Sequence, residues 1–411
     1  MTSTICYVGS NLPKRSETFV YRELFGLRDA GLSVLAATVH PPERSLGETR
    51  LDKLADEAIP VYGSGFRQLI LDATRACMRS PYRAIVTAAQ SLHDAISECL
   101  RTGPRAAGKI LIQSIAGLAL AERLHGRGVT HLHAHMAHVP TTIAMFAASM
   151  LSCSFSFTGH AADLFRDRSL LPEKLRRARF VSCISNWHRQ FYQEICARPD
   201  CDYPVIRCGV PLGETSSPNA PDPQGVFRIL SLGRMVHKKG FDLLIQASEL
   251  LSKRGLGVRL TIAGDGPEWE ALRTLAKTTT IAKDIHFAGP VDNKAVPALL
   301  AESDCFVLAC RTAIDGDRDG IPVVLMEAMA AGVPIISGDL PSIRELIQDG
   351  VNGKLVLAED VAAIASAMEA IAKDAAYSQA LAQTARTTVE SEFSISVNTQ
   401  RLSSIYQGME S

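Results

Sequence analysis

Residues 315–334 read DGDRDGIPVVLMEAMAAGVP. The stretch opens as an acidic loop with glycines and passes through Pro322, a residue favoured at a first helical position. It then runs on as an apolar helix to Gly332, which suits the left-handed conformation that closes a helix. One charge, Glu327, lies among Val324, Leu325, Met326, Ala328 and Met329. A carboxylate in such a setting costs several kcal/mol unless hydrogen bonds reach it, so a partner is expected. Two partners fit, an Arg of the protein or a ligand. With the helix starting near Ile321, Glu327 stands about 9 Å from its N-terminus at about 1.5 Å per residue. The free amides of that N-terminus form a natural anion site. A phosphate there leaves a ribose diol beside Glu327 and a sugar near Asp319; the alternative makes Asp319 a helix N-terminal charge and Glu327 half of an internal ion pair.

Outward from this stretch the second half of the chain is regular. FRILSLG, VRLTIAG, IHFAG, CFVLAC and PIISG are short apolar runs with turn-like ends, alternating with helical patterns at 240–254, 267–278, 293–302, 321–331 and 342–348. This is the pattern of a parallel, doubly wound sheet. Three loops follow its strands and so share its carboxyl edge. GRMVHKKG carries Arg234 and Lys239 at a strand-to-helix junction, a pairing suited to a diphosphate. Gly264-Asp265-Gly266-Pro267 lets a ligand approach the backbone closely. The 315–322 loop is the third wall.

The first half starts another such sheet. TICYVG at 4–9 reads as a strand, Ser16-Glu17-Thr18 as the opening of a helix that runs to Gly31, and Ser33–Thr38 as a second strand. The intervening loop, SNLPKRSET, has no G-x-G-x-x-G fingerprint, so nothing supports a nicotinamide cofactor. Residues 66–127 are helical in pattern and Arg-rich, which fits solvated helix faces or a membrane-surface or anionic-acceptor face. In HLHAHMAHVP, His131, His133 and His135 share one face of a strand. No matching carboxylate or thiolate set lies nearby in sequence, so a polar rim at the sheet edge is expected there rather than a metal. A strand from Cys153 to Thr158 leads into Gly159-His160-Ala161-Ala162-Asp163 at that same edge. His135 and Asp163 are candidates for acceptor or cleft contacts, and His160 for a substrate contact. GETSSPNAPDPQG at 213–225 reads as an interdomain linker.

At 411 residues, 46% of them hydrophobic, the chain is too long for one ordinary domain. No apolar run approaches the ~18 residues of a membrane span, and the N-terminus lacks a basic n-region and cleavage site, so a cytoplasmic or peripheral protein is expected. The ten cysteines include no Cys-x-x-Cys pair, which favours reduced thiols over disulfides or zinc. Net charge is zero but divided, with 25 Lys and Arg against 18 Asp and Glu over 1–212 and the reverse over the remainder.

In order and separation, GRMVHKKGFDLL, LTIAGDGPEWEAL and DGIPVVLMEAMAAGVPII resemble the motifs of glycosyltransferase family 4 over nearly the whole chain. Within that family SETFVYRE, HLHAHMAH, FSFTGHAADLF and DGDRDGIP look most like bacterial exopolysaccharide enzymes of the colanic-acid type. The resemblance implies the GT-B architecture, two Rossmann-like α/β domains facing each other across a cleft: an acceptor-side domain 1–212, joined by a helix from about 392 to 411, and a nucleotide-sugar domain 226–391. It implies a retaining hexosyltransferase that moves a sugar from a UDP- or GDP-sugar to a saccharide or lipid-linked saccharide, with no cofactor, no metal and no nucleic-acid partner. Arg234, Lys239, Gly320 and Ile321 would hold the diphosphate. Glu327, Gly264 and Gly266 would contact the nucleotide and ribose, while Asp319 and His160 would face the reacting sugar. Asp319 is one methylene shorter than the family's usual Glu, and the first loop lacks its common Gly-Gly pair. A sugar-nucleotide epimerase on the same fold and a non-catalytic binding scaffold are the competing functions. The charge division implies a further partner, an anionic membrane met by Arg67, Arg75, Arg79, Arg83, Arg101 and Arg105, or simply attraction between the two halves.

Overall fold

The computed structural model describes residues 3–63, 65–160, 164, 168–198, 202–213 and 225–409. The chain forms two compact units, Met1–Arg207 with Asn398–Ser411, and Cys208–Val397. The first unit thus ends five residues before the boundary expected from sequence, and most of the expected linker, 214–224, lies outside the described residues.

Each unit is built on a six-stranded parallel sheet. The first has β1 (Thr4–Gly9), β2 (Ser33–Thr38), β3 (Ile59–Pro60), β4 (Val129–His135), β5 (Ser154–Gly159) and β6 (Val181–Cys183). The second has β7 (Phe227–Leu232), β8 (Val258–Ala263), β9 (Ile285–Gly289), β10 (Cys305–Leu308), β11 (Ile335–Gly338) and β12 (Lys354–Val356). The strand orders are β3-β2-β1-β4-β5-β6 and β12-β11-β10-β7-β8-β9. Both orders reverse beside their first strand, at β1/β4 and at β7/β10. In open α/β sheets that reversal opens a crevice beyond the carboxyl ends of the strands, and ligands bind there.

All six residues of β1 are buried, as expected for a central parallel strand covered on both faces. On one side pack α1 (Thr18–Asp29), through Leu24 and Phe25, and the C-terminal helix, through Leu402 and Tyr406. On the other lies a helical layer that includes α2 (Phe66–Arg79), α3 (Pro81–Thr102) and α4 (Pro104–Leu124). In the second unit α5 (Phe241–Lys253) and α6 (Val323–Ala330) bury Phe241, Leu244, Leu325 and Met326 against the sheet.

Helix α6 starts two residues later than its sequence suggests. Pro322, with ψ at 123°, sits at the cap rather than inside the helix, and Gly332 ends the element at φ +74° as expected. The 342–348 helix is a single turn of 3-10 helix, Ile343–Glu345, and β12 is an edge strand too short to show in the hydrophobic pattern. Cys6, Cys183, Cys305 and Cys310 are buried free thiols. Among the described residues no helix is long and apolar enough to cross a membrane.

Candidate functional site

In the second unit the loops after β7 and β10 interlock at the sheet reversal. Lys239 Nζ lies 2.9 Å from Asp319 Oδ2, and Lys238 Nζ lies 3.5 Å from Asp319 Oδ1 and 3.1 Å from Asp317. The Cys310 thiol donates to Asp319 Oδ2 at 3.5 Å, and the Ser342 hydroxyl donates to the Asp319 carbonyl at 2.9 Å. Burial alone would raise the Asp319 carboxyl; the ammonium groups of Lys239 and Lys238 more than offset it and hold the carboxyl below its usual range. Lys239 shows the mirror image, with burial working against its charge and Asp319 reversing the shift upward. Arg311, 5% exposed, donates to the His237 carbonyl and pairs with Asp242 at 2.8 Å.

Sequence reasoning directs Asp319 at a sugar; in this structure its carboxylate is directed at two lysines. Of the cations Arg234, Lys238, Lys239 and Arg311, the first is exposed and has no carboxylate within ion-pair distance among the described residues. Lys238, Lys239 and Arg311 are thus matched by Asp317, Asp319 and Asp242, whereas the Arg234 guanidinium makes no ion pair among the described residues.

Gly264 and Gly266 face a neighbouring loop on the side where a Cβ would point. A Cβ on Gly264 would lie 2.0 Å from the Gly233 carbonyl oxygen, and one on Gly266 would lie 2.4 Å from that of Met235. Their missing side chains admit the neighbouring protein loop. The Met235 amide also donates to Asp265 at 2.8 Å, so residues on both sides of Arg234 are pinned from below. Glu327 is less enclosed than its sequence setting suggests. It is half-buried on α6 while its apolar neighbours are buried, which relieves the desolvation cost that its sequence setting implies. Gly320 and Ile321 are buried just ahead of α6.

In the first unit the reversal at β1/β4 carries a chain of histidines. His131, His133 and His135 pair in register with Ser154, Ser156 and Thr158 of β5. The hydroxyls alternate with the rings: His131 lies 2.7 Å from Ser154 and 2.6 Å from Ser156, and His133 lies 2.7 Å from Ser156 and 3.0 Å from Thr158. All three histidines are at most 2% exposed, so His131 and His133 form an interior ladder instead of the expected polar rim. The S-x-S-x-T phase of β5, matching H-x-H-x-H, is the signal that foretells it. His135 ends the ladder, with Nδ1 3.3 Å from His160 Nε2 and Nε2 3.1 Å from Glu23 Oε1. The Tyr7 hydroxyl donates to the same carboxylate oxygen at 2.6 Å. The His160 carbonyl accepts from His188 at 2.9 Å, and Phe19 lies against the His160 ring.

Burial holds His160 and His133 well below the usual imidazole range, with the neighbouring His135 adding to the effect, and it lowers His131 to about 3. No carboxylate set lies near these histidines in sequence, but α1 brings Glu23 to them from 112 residues away. Glu23, His133 and His135 present ligand atoms within 4.8 Å of one another. Each of these ring nitrogens already has a protein partner, however: Thr158 for His133 and Glu23 for His135. Fully buried Lys174 donates to the Ala137, His138 and Ser169 carbonyls, fixing the segment just beyond His135. Asp163 lies outside the described residues.

Two doubly wound units, one with a cationic edge loop, define the GT-B class, and known proteins agree. Residues 214–388 match the family model described as glycosyl transferases group 1. The amylovoran biosynthesis glycosyltransferase AmsK of Erwinia amylovora is 34% identical over 287 residues, 64% of this chain and 70% of AmsK. A putative colanic acid biosynthesis glycosyltransferase of Escherichia coli, WcaL, is 34% identical over 206 residues, and that match spans about half of each protein. Among solved structures, a sucrose-phosphate synthase from Thermosynechococcus elongatus superposes with a TM-score of 0.74 over 99% of both chains, and Anabaena HepE in complex with UDP with 0.71 over 99% of this chain and 100% of HepE, each at 15% identity. The chain belongs to the group 1 glycosyl transferases.

Proposed function

We propose that the protein is a retaining hexosyltransferase of family 4 that transfers a sugar from a nucleoside diphosphate sugar to a hydroxyl of a saccharide or lipid-linked saccharide in exopolysaccharide assembly. The observation that carries this is the Arg234 guanidinium, which makes no ion pair among the described residues and lies in the same loop after β7 as the Lys238–Lys239 pair. Such an edge suits a diphosphate that arrives on a sugar and leaves as a dianion. Arg234 and Lys239 stabilise the leaving group by preorganised charge, Asp319 holds Lys239 in place, and no divalent ion is required. Glu327 contacts the ribose hydroxyls. In a retaining reaction of this kind the departing phosphate takes the acceptor's proton, so His160, kept neutral, contacts the reacting sugar instead of serving as general base.

UDP is the favoured nucleotide, since HepE binds it and shares the fold. AmsK and WcaL favour a polysaccharide acceptor. The test incubates the protein with UDP- and GDP-sugars and saccharide acceptors in EDTA and reads the product by NMR. The expected product retains the donor's anomeric configuration. An inverted product, a strict requirement for magnesium, or epimerised donor without transfer would overturn the reading.

A further inference from the structure

Helix α3 is built inside out. Its five buried positions are Thr87, Ser91, Asp94, Ala95 and Glu98, four of them polar. Three of those are matched inward: Arg177 closes a bidentate pair on Asp94 at 2.5 and 2.8 Å, Thr87 meets Ser149 at 2.9 Å, and Glu98 accepts from the Leu170 amide. The apolar side chains point the other way. Tyr82, Ile85, Leu92, Ile96 and Leu100 are 77, 69, 56, 54 and 84% exposed. Their spacing places them on one face of the helix, a stripe about 27 Å long at about 1.5 Å per residue. Eleven of the fifteen large hydrophobic side chains that stand exposed among the described residues fall within 66–112. Water is a poor neighbour for such a face, and an exposed apolar patch of this extent marks a contact surface.

The charge beside the stripe selects the occupant. Over residues 99–112, where α3 gives way to α4, the cations Arg101, Arg105 and Lys109 occur with no acidic residue. Arg105 and Lys109 are exposed and make no ion pair among the described residues. A second copy of the chain bound through this face would bring the same cations together, because a two-fold contact is self-complementary. An anionic lipid surface satisfies both the stripe and the charges.

We propose that the outward face of α3 and the first turns of α4 dock on an anionic lipid surface, with the α3 stripe at the boundary of headgroups and acyl chains and Arg105 and Lys109 at the phosphates. Of the arginines singled out by sequence Arg105 carries the contact, whereas Arg75, Arg79 and Arg83 are engaged within the protein. Arg79 is paired with Glu122 at 2.8 Å, Arg75 with Asp72 at 3.5 Å, and Arg83 donates to the Leu151 carbonyl. Docking is independent of the reaction the protein catalyses.

The test sediments the full chain with phosphatidylcholine vesicles, with and without phosphatidylglycerol, at low and high salt. Wild type is expected to bind the phosphatidylglycerol vesicles. Ile85→Gln with Ile96→Gln and Leu100→Gln should weaken binding about a hundredfold at either salt, while Arg105→Gln with Lys109→Gln should weaken it about tenfold at low salt only. Arg75→Gln with Arg79→Gln should bind as wild type. The stripe positions are solvent-exposed, so unchanged melting of the triple variant verifies its fold. Absence of wild-type binding at low salt, wild-type binding by the triple variant, or a wild-type dimer that the triple variant dissociates without any vesicle binding would overturn the proposal.

Discussion

The two sheets place their candidate sites at equivalent reversals and furnish them with opposite chemistry. At β1/β4 the groups are imidazoles and hydroxyls held in a buried, directional hydrogen-bond chain that ends at Glu23, His135 and His160. At β7/β10 they are ammonium, guanidinium and carboxylate groups in ion pairs, with the Arg234 guanidinium in no ion pair among the described residues. A hydrogen-bond chain specifies orientation, whereas an exposed cation outside the ion pairs suits an anionic ligand. One fold thus yields an orienting edge and a charge-binding edge.

The largest expected contrast is in acid. His131, His133 and His160 are held below their ordinary range, so beneath about pH 6.5 the unfolded chain takes up protons that the native unit refuses. Stability of the first unit then falls as pH falls, by up to about 1.4 kcal/mol per pH unit for each imidazole and about 4 for the three. Asp319, shifted down, keeps its contribution until the pH drops below the usual carboxylate range near about 3.9, and Lys239, shifted up, loses its own only when pH rises past about 10.4. The two tryptophans separate the units, Trp187 in the first and Trp269 in the second. Fluorescence of Trp269→Phe and Trp187→Phe variants during acid titration should show the first unit opening between about pH 6 and 4, ahead of the second. Coincident transitions, or the second unit opening first, would break the contrast.

Next in size is Lys239→Ala. It leaves the Asp319 carboxylate buried with a more distant lysine, and loss of one arm of a buried pair costs about 3–5 kcal/mol. A lowered melting temperature is therefore expected together with lost activity. The double change Lys239→Met with Asp319→Leu should recover most of the stability and none of the activity. A single variant as stable as wild type would mean that the pair is solvated.

Glu23→Ala removes the acceptor shared by Tyr7 and His135. Unsatisfied buried donors cost about 1–3 kcal/mol, and His135 and His160 lose their orientation. Lower kcat with little change in the affinity for free nucleotide is expected, with Glu23→Gln intermediate because its amide oxygen still accepts. Equal losses in kcat and nucleotide affinity would move Glu23 into the nucleotide's surroundings.

The smallest effect on stability is expected for Glu327→Ala, within about 1 kcal/mol, because its side chain is half-buried. Donor affinity should fall all the same if it meets the ribose. A large drop in melting temperature without ligand would restore the reading of Glu327 as half of an internal ion pair.

These contrasts also account for what the sequence could reveal. Alternating apolar runs and helices announced both sheets, since parallel strands buried on both faces must be continuously hydrophobic. The cationic edge was legible because Arg234 and Lys239 lie within six residues of each other in a strand-to-helix junction. Lys238 was in view beside them, but its pairing with Asp317 and Asp319 spans about 80 residues and appears only on folding. The histidines were visible as an alternating set; their carboxylate was not, because α1 lies far away in sequence. Gly264 and Gly266 stood out as glycines, yet sequence cannot tell whether a ligand or a neighbouring loop fills the space of a missing side chain. The inverted α3 escaped notice for a related reason: amphipathic spacing shows that a helix has two faces and not which one the domain buries.

The central claim, that the β7/β10 edge alone holds the nucleoside diphosphate, is tested most directly by calorimetric titration of UDP into wild type, Arg234→Ala and His160→Ala. Arg234 is exposed and makes no ion pair among the described residues, so its loss should leave folding intact and weaken UDP binding by about ten- to a hundredfold, the loss of one charge-assisted contact. His160→Ala should bind UDP as wild type does. Undiminished binding by Arg234→Ala, or a comparable loss in His160→Ala, would contradict the assignment.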